Sequence, residues 1–227
     1  MLKGKASAPQ QDYPVPPAEN HPGQLIGLID LGSHWESFQN QAAKRIRKVF
    51  LVWEILADDD KHYIVGRDFN IAVRDDGSVS YGEKSNIRKL LSAWRGKDYA
   101  PGEEIDLDNF LGKDCLVNLS HGQSKTSGKT FASVEGASKM PRGMPAIEPD
   151  CPWVTYDADS DQEIPTQDWL PMVYGETVLA IVERCIEHGG SGIRTSAPAG
   201  ANKAPTQPLR DHAAAKAAAP ANDADAF

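Results

Sequence analysis

Cationic side chains are concentrated in one short stretch, AKRIRKVF, and a polar segment with two large aromatic residues comes before it. The cations are Lys44, Arg45, Arg47 and Lys48, and the aromatic residues are Trp35 and Phe38. A protein that binds a single nucleic-acid strand needs cations along the phosphates and flat rings that stack on the bases. This stretch therefore predicts phosphate contacts and base stacking, with one alternative for the two rings: they fold back over the core as a lid.

Two further segments carry the same kinds of side chain. The loop QSKTSGK places Lys125 and Lys129 among small residues, and the strand HYIVGRDFNIAV places Tyr63, Arg67 and Phe69 on one face. Lysines in a pliable loop suit a finger that closes on a nucleic-acid strand, and the trio suits a binding face. Two plainer interpretations stay open: a solvated hairpin tip for the lysines and a core-facing row for the trio.

Motifs for catalysis or metal binding are incomplete in this sequence. In GQSKTSGKT, five residues separate Gly122 from Gly128, where the phosphate-binding loop has four. The three cysteines are far apart, the six histidines lack metal-ligand spacing, and no elbow motif places a Ser, His and Asp trio. We therefore expect no enzyme activity, no cofactor and no bound metal.

Acidic residues are distributed unevenly along the chain. Residues 1–143 contain 19 Lys and Arg against 19 Asp and Glu, whereas residues 144–227 contain 5 against 13. Such asymmetry is typical of a neutral body with an acidic interaction tail. Because duplex-binding domains are usually basic, a neutral body favours sequence-tolerant binding of single strands, where stacking offsets weak Coulomb attraction.

The sequence also lacks the apolar segments that membranes and secretion require. It contains no run of about 18 apolar residues, and its first stretch, MLKGKASAPQQDYPVPPAENHPG, has no apolar core of a signal peptide. Three widely spaced cysteines suit a reducing compartment. We expect a cytoplasmic protein with no membrane partner.

Hydrophobic periodicity predicts the element order β-β-β-α-β-β in the first part of the chain. The predicted strands are GQLIGLIDLG, RKVFLVWEIL, HYIVGRDFNIAV, DCLVNLSHG and TFASVEGASKM. The predicted helix has Ser85 as its N-cap and stops at Gly96. This order is that of an all-β fold with one capping helix, a five-stranded OB-fold barrel. An open five-stranded α+β sheet is the alternative.

Composition divides the chain into five parts. They are a mobile N-terminal arm at 1–23, an OB-fold domain at 24–145, an acidic linker at 146–172, an amphipathic helix at 173–189 and a disordered tail at 190–227. The arm and the tail are rich in Pro and other residues that favour disorder. The helix has apolar residues at helical spacing and a stop signal at Gly189.

Several of these stretches resemble a family of phage and prophage proteins encoded in replication and recombination regions. The most specific stretches are LLSAWRG and LGKDCLVNLSH with the following GKTFASV, and the resemblance covers residues 13–145. Members of that family are regarded as OB-fold single-stranded DNA-binding proteins. The resemblance therefore implies binding of single-stranded DNA in phage replication or recombination.

The last residues, NDADAF, resemble the acidic tip of bacterial single-stranded DNA-binding proteins. In those proteins the terminal Phe ring fills an apolar pocket of a replication or repair enzyme. Asp223, Asp225 and Phe227 match that pattern, whereas only two Asp are present and Ala226 stands where those tips usually carry Pro. The resemblance implies that the tip recruits replication or recombination proteins.

A second function remains open from the sequence, a protein–protein adaptor or inhibitor on an OB-like fold. In that case the apolar face of the helix at 175–188 would lie in a groove of the partner. The same face could instead pack on the barrel or mediate self-association. The sequence leaves the oligomeric state open, a homo-oligomer included.

Overall fold

The computed structural model describes residues 15–37, 42–58, 60–124, 128–173, 175–190, 193–194 and 207–208. The strands in this part of the chain are β1 (Asn20–Glu36), β2 (Lys44–Leu56), β3 (His62–Val73), β4 (Val79–Ser80), β5 (Asp114–Gln123), β6 (Thr130–Ser138), β7 (Val154–Tyr156), β8 (Ile193–Arg194) and β9 (Gln207–Pro208). The helices are α1 (Asn86–Arg95) and α2 (Val178–Val182), with a 3-10 turn at Asp108–Phe110. Neither α1 nor α2 is long and apolar enough to cross a membrane.

The main strands form an antiparallel sheet in the order β4-β3-β2-β1-β5-β6. The short strands β7 and β8 add to β1 in parallel, and β9 pairs with β3. The prediction of a mainly β chain with few helices is confirmed, whereas the sheet has more strands than the five expected.

The hairpin of β1 and β2 extends well into the segment that was predicted as a polar loop. Its register continues to Trp35 opposite Arg45 and Glu36 opposite Lys44, so the connection shrinks to residues 37–43. Register shifts at Leu25/Gly27 and at Asp30/Gly32 mark bulges in β1. Bulges bend a strand and increase its twist, which lets β1 stay paired over 17 residues.

Helix α1 forms as the sequence predicts. The Ser85 hydroxyl accepts a hydrogen bond from the Arg88 N–H, and the N–H of Gly96, at φ 72°, donates to the Ser92 carbonyl. Ile87, Leu90, Leu91 and Trp94 form its buried face. The Trp94 ring lies 6.3 Å from the Trp53 ring, so α1 covers one face of the sheet.

The central strands are buried on both faces. On the inner face, side chains such as Leu51, Trp53 and Val65 pack against α1, β5 and β6. On the outer face, Phe50, Val52 and Ile64 pack against apolar residues that come after residue 150. These covering residues include Cys151, Val154, Tyr156, Leu170, Val173, Val178, Ile181, Val182 and Cys185.

The segment at 146–190, which we call the acidic segment, is therefore part of the fold. The sequence predicts an acidic linker followed by an amphipathic helix at 173–189. The helical part is only Val178–Val182, and its apolar face lies on the sheet, which is one of the alternatives left open. The residues of the predicted N-terminal arm from 20 onward belong to β1. Apolar side chains scattered among the acids account for the difference, since burying them stabilises the attached segment.

Strands β3 and β6 face each other across a gap in the sheet. In the part of the chain that the structure describes, the backbone ladders do not join these two strands. The Arg67 guanidinium spans the gap and donates to the carbonyl oxygens of Val134, at 2.8 Å, and Glu135, at 2.7 Å. Arg67 thereby fixes the distance between the two ends of the sheet.

Candidate nucleic-acid interface

An exposed tryptophan and two cations belong to the residues where β1 ends and β2 begins. Trp35 is 42 % exposed, more than any other large hydrophobic side chain among the described residues. It lies directly opposite Arg45, while Lys44 is exposed and opposite Glu36. Directly opposed side chains in an antiparallel pair lie about 5 Å apart. We call these four residues the hairpin end: Trp35 and Arg45 share one face of the ladder, and Lys44 and Glu36 share the other. The exposed ring therefore has one cation on its own face and a second cation on the opposite face.

Arg45 is held in place by a carboxylate of the acidic segment. Its Nη2 donates to the Ser33 hydroxyl at 3.2 Å and to Glu187 at 3.1 Å, and the side chain stays partly exposed. Glu187 also accepts the Ser33 backbone N–H at 2.7 Å. Burial opposes ionisation of Glu187, yet hydrogen bonds from Ser33 outweigh burial and lower its pKa to about 2. Glu187 is therefore a charged anchor for Arg45.

The lowered pKa of Glu187 predicts a pH-dependent contribution to stability. The contribution is complete above the usual carboxyl pKa of 4.5 and is lost as the pH falls through about 2. We expect Glu187→Gln to lower the free energy of unfolding at pH 7 by about 1.5–3 kcal/mol, because charged hydrogen bonds are lost. The deficit should shrink as the pH is lowered from 5 towards 3.

Urea unfolding at several pH values measures this effect. Glu163→Gln removes an exposed carboxylate of the same segment and serves as the control. A deficit for Glu187→Gln that stays constant across this pH range would contradict the assignment.

Arg47 is enclosed by carboxylates rather than open to a ligand. Its guanidinium bonds to Asp30, lies 2.7 Å from Asp159 and lies 3.6 Å from Asp157. Burial disfavours the charged guanidinium, but the bonds to Asp30 and Asp159 outweigh burial and raise the pKa of Arg47. The three carboxylates lie close enough to share a metal ion, yet the Arg47 guanidinium already supplies a cation there. The predicted phosphate contact by Arg47 is not available in this structure.

Lys48 is wrongly predicted as a phosphate ligand, because it is only 2 % exposed. Its Nζ lies 2.9 Å from Glu36, 2.7 Å from Asn70 Oδ1 and 3.8 Å from Asp68. Successive residues of a strand point to opposite faces, so Lys48 and Arg47 lie on different sides of β2. The four cations therefore do not form one stripe.

The predicted binding face on β3 is also wrong, because its two rings belong to the core. Tyr63 and Phe69 are both buried on the inner face. Arg67, the third member of the trio, bonds to β6 and lies 5.2 Å from the centre of the Phe69 ring. Burial leaves neither ring a free face for stacking on a base, and the core-facing alternative describes this row.

The remaining predicted residues are not brought to the hairpin end. Lys129 lies in the turn between β5 and β6, and β5 pairs with the first residues of β1, so this turn is at the other end of β1 from Trp35. The described residues thus leave Trp35, Lys44 and Arg45 as the accessible cluster. Five predicted residues lie outside the described part of the chain: Phe38, Lys125, Asp223, Asp225 and Phe227.

Glu54 is a structural residue that the sequence analysis missed. It is fully buried, accepts the backbone N–H groups of Asp150 at 2.7 Å and Cys151 at 3.0 Å, and lies 2.5 Å from His62 Nδ1. Glu54, His62 and Asp150 are close enough to share a metal ion, but both Glu54 oxygens already accept N–H groups. Glu54 therefore attaches the acidic segment to β2. The sequence signal that could have indicated a buried role for Glu54 is its position as the lone charged residue in the apolar run VFLVWEIL.

Trp153 is a second exposed ring that the sequence analysis missed, at 38 % exposure. Its Nε1 donates to Gln24 Oε1 at 3.3 Å, and its ring rests where a Cβ on Gly112 would be. Trp153 precedes β7 and lies far along β1 from Trp35.

Comparison with known proteins finds no matching family model, curated protein or solved structure. The candidate interface therefore rests on the geometry of the hairpin end.

Proposed function

We propose that this protein binds single-stranded DNA without strong sequence preference, acts in phage replication or recombination, and is not an enzyme. The observation that carries the proposal is the hairpin end, where exposed Trp35 shares a face with Arg45 and Lys44 lies on the opposite face. A ring and cations at one exposed place match the two requirements of single-strand binding.

The strand order supports this proposal because it is the order of an OB-fold barrel. The five long strands follow the order β3-β2-β1-β5-β6, and α1 comes between the third and fourth of them along the chain. We infer that the sheet closes as an OB-fold barrel, with Arg67 bridging the gap between β3 and β6. OB-folds bind oligonucleotides with the loop between their first two strands and the adjoining strand faces. The hairpin end belongs to the first two long strands and adjoins their connection.

The acidic segment limits where DNA would lie on such a barrel. It covers the outer face of the central strands through Phe50, Val52 and Ile64. The DNA path that we propose therefore follows the hairpin end, with Trp35 stacking on one base and Lys44 and Arg45 near the adjacent phosphates. Each stacked base contributes about 1–3 kcal/mol, so a short path gives measurable affinity.

The tail and the location complete the proposal. Asp223, Asp225 and Phe227 would dock on replication or recombination proteins, as the acidic tip of NDADAF suggests. The three cysteines are all buried free thiols, which suits the reducing cytoplasm of a bacterial cell.

The adaptor hypothesis loses the element on which it was based. Val178, Ile181, Val182 and Cys185, the apolar residues of the helix at 175–188, are buried against the outer face of the sheet. A helix whose apolar face is already packed offers no such face to a partner's groove.

A competition experiment tests the proposal. Fluorescently labelled oligo-dT is bound to the full chain and then competed with unlabelled oligo-dT or with duplex DNA of equal length. We expect the single strand to compete far better than the duplex. Equal competition, or no saturable binding of oligo-dT, would overturn the proposed function.

A chain that ends at residue 208 separates the tail from DNA binding. This variant should bind oligo-dT at least as well as the full chain but should no longer retain a replication protein in a pull-down. Phe227→Ala in the full chain provides the matched point variant. Retention that persists in both variants would contradict the role of the tip.

A further inference from the structure

The acidic segment is strongly anionic and also touches the cations of β2. It contains ten Asp and Glu against a single Arg. Three of these carboxylates reach guanidinium groups of β2: Asp157 and Asp159 contact Arg47, and Glu187 contacts Arg45. Carboxylates therefore pair with Arg45 and Arg47, two of the side chains that the sequence assigns to DNA phosphates.

The contact of Glu187 with Arg45 is held more firmly than the contacts of Asp157 and Asp159 with Arg47. Glu187 is mostly buried and accepts the Ser33 backbone N–H, so it stays in place with the fold. Asp157 and Asp159 are 64 % and 59 % exposed and belong to a surface turn closed by the Ser160 N–H and the Asp157 carbonyl. Exposed ion pairs are weak and screened by salt.

Arg47 itself has a second partner that does not depend on the acidic segment. It bonds to Asp30, a neighbouring residue on β1. Asp157 also accepts the Asp159 backbone N–H, and Ala158 between them is buried in the outer core, so the turn itself stays attached. Arg47 can therefore keep its orientation through Asp30 when the two carboxylates are removed.

We propose that Asp157 and Asp159 act as an internal competitor for single-stranded DNA. In the free protein their carboxylates hold the Arg47 guanidinium in place of a phosphate. These carboxylates keep DNA phosphates away from Arg47, so Arg47 adds a phosphate contact to those of Lys44 and Arg45 only when the two carboxylates are removed. The acidic segment thus sets the affinity of the binding site through two carboxylates. This inference rests on the proposed function.

The test compares two double variants that remove the same charge from the same segment. Asp157→Asn with Asp159→Asn frees Arg47, whereas Asp161→Asn with Glu163→Gln changes exposed acids for which the structure gives no contact to Arg47. Dissociation constants for labelled oligo-dT are measured at several salt concentrations. We expect the first variant to bind about tenfold more tightly than the control and to show a log–log salt slope steeper by about 0.7, the value for one phosphate contact.

A third substitution assigns the gain to Arg47. Arg47→Gln in the wild-type background should change oligo-dT affinity little, because Arg47 is already neutralised there. In the Asp157→Asn, Asp159→Asn background it should abolish the gain. Urea midpoints of all variants exclude unfolding as the cause of a change in binding.

The outcomes separate this inference from the proposed function. If the wild type binds oligo-dT and both double variants gain equally, the effect is general charge repulsion and the internal competitor is refuted. A gain that survives Arg47→Gln refutes it as well. If the wild type and all variants fail to bind, the proposed function is wrong and this inference fails with it.

Discussion

Replacing Glu54 with alanine is expected to lower the free energy of unfolding by about 3–5 kcal/mol, the usual cost of removing one partner from a buried ionic contact. The side chain is fully buried, and its loss leaves the N–H groups of Asp150 and Cys151 without an acceptor. It also removes the partner of His62 at 2.5 Å. Urea unfolding monitored by tryptophan fluorescence measures the change.

Two further variants make this result specific. Glu54→Gln keeps a carbonyl oxygen that can accept one N–H, so its loss of stability should be smaller than that of Glu54→Ala. Glu163→Ala removes an exposed carboxylate of the acidic segment and should change stability by less than about 0.5 kcal/mol. A loss below about 1 kcal/mol for Glu54→Ala would contradict the account of the attachment, because one unsatisfied buried group alone costs that much.

Trp35→Ala is expected to weaken binding of oligo-dT by about 5- to 150-fold, which corresponds to one stacked base at about 1–3 kcal/mol. The ring is the most exposed large hydrophobic side chain in the described residues, and its removal opens no cavity in either core. Fluorescence anisotropy of labelled oligo-dT measures the change in the dissociation constant.

Trp153→Ala is the matched control for the hairpin end. Trp153 is exposed to a similar degree, 38 % against 42 %, but lies beside Gln24 and Gly112 rather than near Arg45. We expect its loss to leave oligo-dT binding within about twofold of the wild type, as for a side chain outside the interface. Equal losses for the two variants, or none for Trp35→Ala, would place the binding surface elsewhere.

Local sequence signals were sufficient to predict helix α1 and the β5–β6 hairpin, which are formed by residues close together in the chain. Helix α1 has its N-cap at Ser85 and its left-handed residue at Gly96, both visible in the sequence because capping depends on neighbouring residues. The hairpin of β5 and β6 likewise follows from two apolar runs around a loop of small and polar residues.

The orientation of the binding residues could not be predicted from periodicity. The alternation in β3 groups Tyr63, Arg67 and Phe69 correctly on one face, but the central strands are buried on both faces. A period of two identifies which residues share a face and does not say which face meets solvent. Lys48 was misassigned for the same reason, since a cation next to apolar residues looks exposed unless its buried partners are known.

The role of the acidic segment depends on contacts between distant parts of the chain. Arg47 meets Asp157 and Asp159, and Glu54 meets the backbone of Asp150 and Cys151. Composition correctly identifies the excess of acids but predicts a linker, because it does not record which cations those acids approach in space. Among the apolar residues that attach this segment, only those at 178–185 follow a helical period, so pattern analysis does not find the others.

Whether the hairpin end binds single-stranded DNA is decided by the affinity of the full chain for labelled oligo-dT at several salt concentrations. If the hairpin end binds single-stranded DNA, we expect saturable binding whose log affinity falls linearly with the logarithm of the salt concentration. The predicted slope is about −0.7 for each phosphate contact, or about −1.4 for contacts by Lys44 and Arg45. Double replacement of Lys44 and Arg45 by glutamine should remove most of that slope. Absence of binding, or an affinity that does not change with salt concentration, would contradict the binding of single-stranded DNA at the hairpin end.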